Sequence, residues 1–201
     1  DKFFDGSISF NSSGSNNLNN TNNLTTNNTN NITYTNSKII NFGLKNNYNF
    51  YFKNHNSIGK KSDSKSSPEI DFGGLFEVNS SLPLIKKEPK YTNYLTPKVS
   101  FRINPIGMKD KSGLSRTIDV GNVFSSNRLG IGSTSEAGRS LTLGLNFRKE
   151  QENIEKDMQE DMEEVNKYFE VNLATVFRDK EEEFIPNTST LHQKTSNIFG
   201  S

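Results

Sequence analysis

The sequence predicts an all-β chain: the antiparallel wall of a transmembrane β-barrel, with about seven strands in 201 residues. Three observations predict it. Apolar and polar residues alternate with a period of two in stretch after stretch, the signature of strands with one apolar and one polar face. Only 30% of the residues are hydrophobic, which is poor for a water-soluble core. A barrel with a polar lumen escapes that objection, because only every second strand residue meets lipid. Finally, no run of about 18 apolar residues exists, so no helix crosses a bilayer.

Residues 1–10, DKFFDGSISF, read as part of a strand with Phe4, Ile8 and Phe10 on one parity. Residues 11–36 are about half Asn, mixed with Thr and Ser, and read as a disordered surface loop. Residues 38–54 predict a long strand, with Ile40, Phe42, Leu44, Tyr48, Phe50 and Phe52 on one side. It is longer than the about 9–11 residues that a tilted strand needs to cross a bilayer. Residues 55–68 read as a polar turn. The next strand carries Ile70, Phe72, Phe76, Val78, Leu82 and Leu84 in phase and ends near Pro83. A short polar connection, KKEPKYTN, follows.

The strictest alternation flanks a long loop. Leu95, Val99, Phe101 and Ile103 oppose Lys98, Ser100, Arg102 and Asn104; after the loop, Leu141, Leu143, Leu145 and Phe147 oppose Ser140, Thr142, Gly144, Asn146 and Arg148. Residues 105–138 form the loop. Residues 149–167, dense in Glu and Lys, predict an acidic hairpin tip or a short helix, with Ile154, Met158, Met162 and Val165 at helical spacing. Phe169, Val171, Leu173 and Phe177 resume the strand pattern, and TSNIFG opens a last partial strand. Tyr34, Tyr48, Tyr51, Tyr91, Tyr94 and Tyr168 fall toward strand ends, where barrels carry aromatic girdles.

The net charge of +1 argues against an electrostatic nucleic-acid binder. The absence of cysteine removes thiolate metal sites, cysteine nucleophiles and disulfides. No nucleotide-binding loop or nucleophile elbow is present, and His55 and His192 both sit in polar surroundings. The reading is therefore not an enzyme, with no catalytic, cofactor or metal site. The chain reads as an internal fragment of a longer protein.

The residues around the loop resemble a family. Tyr94–Lys98 with Leu95 and Pro97, then Asn104–Pro105, then Asn127–Arg128–Leu129, Glu136–Ala137–Gly138 and Leu143–Gly144–Leu145 stand in the order and spacing of the barrel of the outer-membrane LPS-assembly protein (LptD family, organic solvent tolerance protein). Val171–Phe177, Ser189–Leu191 and Ser196–Gly200 follow in matching places. The resemblance covers roughly residues 91–201. Gly132–Ser133–Thr134 departs from the family's G-x-D, and Asn197 replaces an Asp.

The resemblance implies part of the translocon that inserts lipopolysaccharide into the outer leaflet of the bacterial outer membrane. Its implied partners are LPS, a lipoprotein plug, and periplasmic LPS-bridge proteins contacted by regions outside this stretch. The motif-like residues are Leu95, Pro97, Pro105, Asn127, Arg128, Glu136, Gly138 and Gly144. Lys98, Arg102 and Arg148 fall on the polar parity and are expected to face the lumen. The alternatives from other classes are a different outer-membrane channel, a TonB-type nutrient receptor barrel, or a soluble β-rich adhesin.

Overall fold

The computed structural model describes residues 5–19, 23–60, 67–132, 134–151 and 167–201. They form one antiparallel sheet and no α-helix. The strands are β1 (Ser7–Asn19), β2 (Asn23–Ile39), β3 (Lys45–Lys60), β4 (Glu69–Ser81), β5 (Leu84–Glu88), β6 (Tyr91–Asn104), β7 (Gly138–Gln151), β8 (Tyr168–Arg178) and β9 (Phe199–Gly200). Their order is β1-β2-β3-β4-β6-β7-β8-β9, with β5 beside β6, so the sheet is an open meander that does not close on itself.

Nine strands stand where the alternation suggested about seven. One of the additional breaks falls at Pro83. β4 pairs with β6 down to Ser81–Lys98, and β5 resumes at Leu84–Leu95 in unbroken register. Proline has no N–H to give a ladder, and across this gap Leu82 N–H still donates to Pro97 O at 3.1 Å. The polar connection expected over KKEPKYTN is accordingly mostly strand, with only Pro89 and Lys90 in the turn.

Three sequence expectations are corrected. In the Asn/Thr/Ser tract 11–36, read as a disordered loop, residues 11–19 belong to β1 and 23–36 to β2, residues 20–22 lying outside the described residues. Each residue of β2 from Leu24 to Thr35 is paired on both sides. The main chain supplies this order, helped by side chains that bond across strands: Ser12 Oγ donates to Asn30 Oδ1 at 2.7 Å, Asn30 Nδ2 to Asn54 Oδ1 at 3.2 Å, and Thr29 Oγ1 lies 2.8 Å from His55 Nδ1. A strand held by its neighbours does not need an apolar stripe of its own.

Second, the strand expected over 38–54 is broken by a tight turn at Asn41–Gly43. Phe42 and Gly43 both take positive φ, 66° and 80°, a reversal that the alternation of side chains cannot report. Third, residues 55–60 of the polar turn expected over 55–68 are strand, because β3 runs to Lys60 and carries His55 within it, and residues 61–66 lie outside the described residues. The expected helix or hairpin tip at 149–167 falls largely outside the described residues; Lys149, Glu150 and Gln151 belong to β7.

The two faces of the sheet are inverted relative to a protein folded in water. The register aligns apolar rows across the strands: Tyr48–Val78–Phe101–Leu141–Phe177, Val99–Leu143 and Pro97–Leu145–Leu173. This face is open, with Val99 41% and Phe101 42% exposed. The opposite face carries the row Ser7–Thr35–Asn49–Glu77–Arg102–Ser140–Arg178, continuous over seven strands. There Glu77, Ser100, Arg102, Asn104, Ser140, Thr142 and Arg178 are buried.

What buries them is a cap made of residues 105–137 and 179–198. Met108, Ile118, Val123, Leu129, Ala137, Ile185 and Leu191 of these segments cluster with Ala174 and Val176 of β8, and Phe199 of β9 packs against them. The two cap segments are tied together. Lys111 N–H donates to Phe184 O at 2.9 Å, Asn187 N–H to Ser112 O at 3.3 Å, and Arg116 N–H to the Thr188 hydroxyl at 2.8 Å.

Candidate functional site

The joint between cap and sheet is a buried ion network. Arg128, within the turn that Gly130 closes at φ 68°, is fully buried. Its guanidinium grips Glu136 in a two-point fork, Nε to Oε2 at 2.7 Å and Nη2 to Oε1 at 2.5 Å. It also donates to Ser140 Oγ at 2.9 Å and Thr142 Oγ1 at 3.0 Å, both on β7. Arg178 of β8 reaches the same Glu136 oxygen and donates to Ala137 O at 3.0 Å. Two-point pairing with a planar carboxylate is the geometry arginine favours and lysine cannot supply.

Arg102 completes the network from β6. It donates to the Ser125 and Ser126 carbonyls of the cap at 2.8 and 2.5 Å, and its Nε lies 3.6 Å from Glu77 Oε2, an ion pair rather than a hydrogen bond. Glu77 Oε1 accepts from Asn49 and Asn79 at 2.9 and 2.7 Å. Asn104 Nδ2 donates to Glu136 O at 3.0 Å, while its Oδ1 accepts from Ile106 N–H at 2.9 Å and turns the chain into the cap at Pro105.

Burial acts most strongly on Glu136 and opposes its ionisation. Arg128, Arg178 and Arg102 together outweigh burial and hold the carboxyl well below the usual carboxylate range. The arrangement stores no reactive group: every charge faces an opposite charge or a carbonyl. Chemically it can fasten or release the cap. Among the described residues no cluster of metal-ligating side chains occurs.

Of the motif-like residues, Arg128 and Glu136 form this joint, and the others lie beside it or away from it. Leu95 sits on the apolar face between Leu84 and Phe147. Pro97 lies at the β4–β5 break, and Leu82 N–H donates to its carbonyl at 3.1 Å. The Asn127 side chain accepts from Ile131 N–H at 3.2 Å and shapes the Arg128 turn. Gly138 has φ 83°, and a Cβ there would stand 3.1 Å from Glu182 and 3.2 Å from Arg178. At Gly144 a Cβ would come within 2.6 Å of the Phe124 ring, which lies over that position from the cap.

Of the cations on the polar parity, Arg102 is pinned under the cap. Lys98 Nζ stands 5.9 Å from the centre of the Phe124 ring. Arg148, toward the far end of β7, is half-exposed; it pairs with Glu150 and Glu170 and stacks 4.5 Å over Tyr168. The structure therefore joins Arg102 to Arg128, Glu136 and Gly138, and leaves Arg148 outside that group.

Sequence reasoning missed Glu77 and Arg178, and did not foresee that residues 179–198 join the cap. The signal for Glu77 and Arg178 was parity, since both fall on the polar side of their strands. No family model matches the chain, and no curated protein or solved structure shows significant similarity to it.

Proposed function

We propose that the chain is part of an outer-membrane β-barrel wall, in the translocon that inserts lipopolysaccharide into the outer leaflet. The observation that carries the membrane half of this reading is the inverted burial. An open apolar face opposite a buried ionic one suits a sheet with lipid on one side and its own polar cap on the other. From Leu95 to Ile103 the apolar rows of β6 rise eight residues, roughly 27 Å along a strand. At a tilt of about 40° this spans about 20 Å, near the apolar band of about 25 Å in such barrels. At one end of the band stand Tyr91, Tyr94 and Tyr168 with Arg148 and Lys149, the last 4.2 Å from the Tyr91 ring centre.

The LPS half rests on the family-like residues. Asn127, Arg128, Glu136, Gly138 and Gly144, picked out by order and spacing, converge on one joint that holds a cap against the polar face. Such a joint suits a wall that must stay sealed until a large amphiphile passes. The plug lipoprotein and periplasmic bridge belong to the same proposal.

The test is depletion of the full-length protein in its own cells. Surface LPS, read by outer-leaflet labelling, should fall while newly made LPS accumulates inside. The detergent-solubilised protein should migrate faster unheated than boiled. Unchanged surface LPS together with single-channel conductance would instead assign a general channel. Full solubility without detergent, with no heat shift, would point to an adhesin.

A further inference from the structure

The apolar belt on the open face of the sheet changes height from strand to strand. On β6 it runs from Leu95 to Ile103, and on β4 from Ile70 to Val78. On β3 it shrinks to Tyr48, Phe50 and Phe52, on β2 to Ile32 and Tyr34, and on β1 to Ile8 and Phe10. These residues share rungs of the ladder, Phe10–Ile32–Phe52 and Ile8–Tyr34–Phe50–Phe76–Ile103. Ile32 to Tyr34 covers about 7 Å of strand, and Tyr48 to Phe52 about 13 Å. At a tilt of about 40° the belt is about 5 Å tall on β2 and about 10 Å on β3, against about 20 Å on β6.

Amides set both borders of the short part. On one side the rung Ser12–Asn30–Asn54 crosses three strands on the same face. Ser12 Oγ donates to Asn30 Oδ1 at 2.7 Å, and Asn30 Nδ2 to Asn54 Oδ1 at 3.2 Å. The following rung adds Asn56, whose Nδ2 donates to Asn54 Oδ1 at 2.6 Å. On the other side Asn36 Nδ2 donates to Tyr34 Oη at 3.1 Å, and Asn46 Oδ1 accepts from Ser80 Oγ at 2.6 Å. Asn30 uses one of its two N–H groups in these bonds. Hydrocarbon laid over such a rung leaves polar atoms without water, which is costly.

Between the borders lies a hollow of about 670 Å³, floored by Ile8, Ile32, Tyr34, Phe50 and Phe76. It continues into the tall belt through the Phe76–Ile103 pair. Fluid acyl chains fill an irregular apolar hollow without needing a matching protrusion, as a protein partner would.

We propose that the bilayer is thinned where it meets β1–β3, with its headgroups drawn down to the Ser12–Asn30–Asn54 rung. A short apolar stretch is met by thinning of the bilayer beside it. Lipid packing is then weakest along this flank of the wall, and a polar headgroup has the least hydrocarbon to cross there. The inference rests on the membrane half of the proposed reading.

The experiment refolds the full-length protein from urea into vesicles of dilauroyl-, dimyristoyl- or dioleoyl-phosphatidylcholine, in order of increasing thickness. Heat-modifiable migration reads the inserted fraction. Asn30→Leu combined with Asn54→Leu adds one apolar row to β2 and β3, about 5 Å of height. It should raise the ratio of inserted to uninserted protein about fivefold in dioleoyl vesicles and leave it nearly unchanged in dilauroyl ones. Ile32→Asn removes a row and should act in the opposite sense, which keeps the test open if the leucine pair fails to fold. Thr175→Leu adds apolar surface within the tall belt of β8 without adding height, and should act alike in all three lipids. A leucine-pair effect equal in all three lipids would overturn the inference, leaving hydrophobicity alone. So would a multimer in detergent, seen by light scattering, that the leucine pair dissolves, since a protein would then cover this face. Absence of any heat-modifiable form in every vesicle would refute the barrel itself, and the inference with it.

Discussion

Replacing Glu136 by Gln tests the joint at its centre. The change keeps the shape of the side chain and one acceptor oxygen, so packing in the cap is nearly preserved. It removes the charge that Arg128 meets at 2.7 and 2.5 Å and that Arg178 shares. Arg128 then loses its ion-pair partner, while Arg102 keeps Glu77 and Arg178 keeps only the weaker influence of Glu182 and Asp179. Removing one partner of a buried ion pair costs about 3–5 kcal/mol, since the other charge stays desolvated and unpaired. The cost falls on cap docking, because the strands keep their ladders. It corresponds to roughly a hundredfold to several-thousandfold rise in cap opening. Hydrogen exchange of the full-length protein, read on peptides from 108–131 and 182–197, measures that opening. Exchange in β6 and β7 serves as the internal reference. Cap protection equal to wild type would refute the claim that this carboxylate fastens the cap, and would leave the apolar cluster around Val123 and Ile185 as the real fastener.

The same carboxylate sets an acid response. Its pKa is depressed in the folded state, so its contribution is present above the unfolded value of about 4.3 and is lost as pH falls through the lower folded value. Cap exchange, corrected for intrinsic rate, should be flat from pH 7 to 5 and rise only well below pH 4; loosening between pH 6 and 5 would contradict the assignment. Gly144→Ala should destabilise cap docking by about 1–3 kcal/mol through the clash with Phe124. Adding Phe124→Ala should recover part of that loss in the same exchange measurement. A cysteine at 101 should react with a membrane-dissolved maleimide, whereas one at 102, under Ser125 and Ser126, should resist both lipid- and water-borne reagents; the reverse order would invert the faces. Phe42, 98% exposed at φ 66°, gains nothing from burial to offset its backbone. Phe42→Asn should raise stability against thermal unfolding by about 0.5–1 kcal/mol, and a loss would show that Phe42 has a partner in the assembled protein.

The strands with an apolar parity were legible in the sequence because lipid or core contact imposes a period of two: β4, β6, β7 and β8 stand close to where the alternation put them. β2 and β1 beyond Phe10 were not, because they are held by backbone ladders and Asn–Ser and Thr–His side-chain bonds, which leave little hydrophobic rhythm. The site was half legible. Arg128, Glu136, Gly138 and Gly144 were marked only through the family resemblance, and Arg102 by its parity. Their convergence was not, because it depends on a turn at Asn127–Gly130 that carries Arg128 onto Ser140 and Thr142. The apolar centre of the cap draws Ile118 and Val123 together with Ile185 and Leu191 across two strands, and no local pattern announces that meeting.

The ionic row Glu77–Arg102–Ser140–Arg178 also acts as an alignment key during assembly. In a ladder of period two, a slip of one residue exchanges the faces of a whole strand. For β6 that slip would turn Arg102 onto the apolar face and slide Phe101 beneath the Ser125 and Ser126 carbonyls, leaving Glu77 without its guanidinium. A slip elsewhere, among the Ser and Asn rungs of β1 and β2, would exchange like for like. Correct threading of this sheet is therefore decided at its charged rungs, and mispaired intermediates should concentrate in its amide-rich flank.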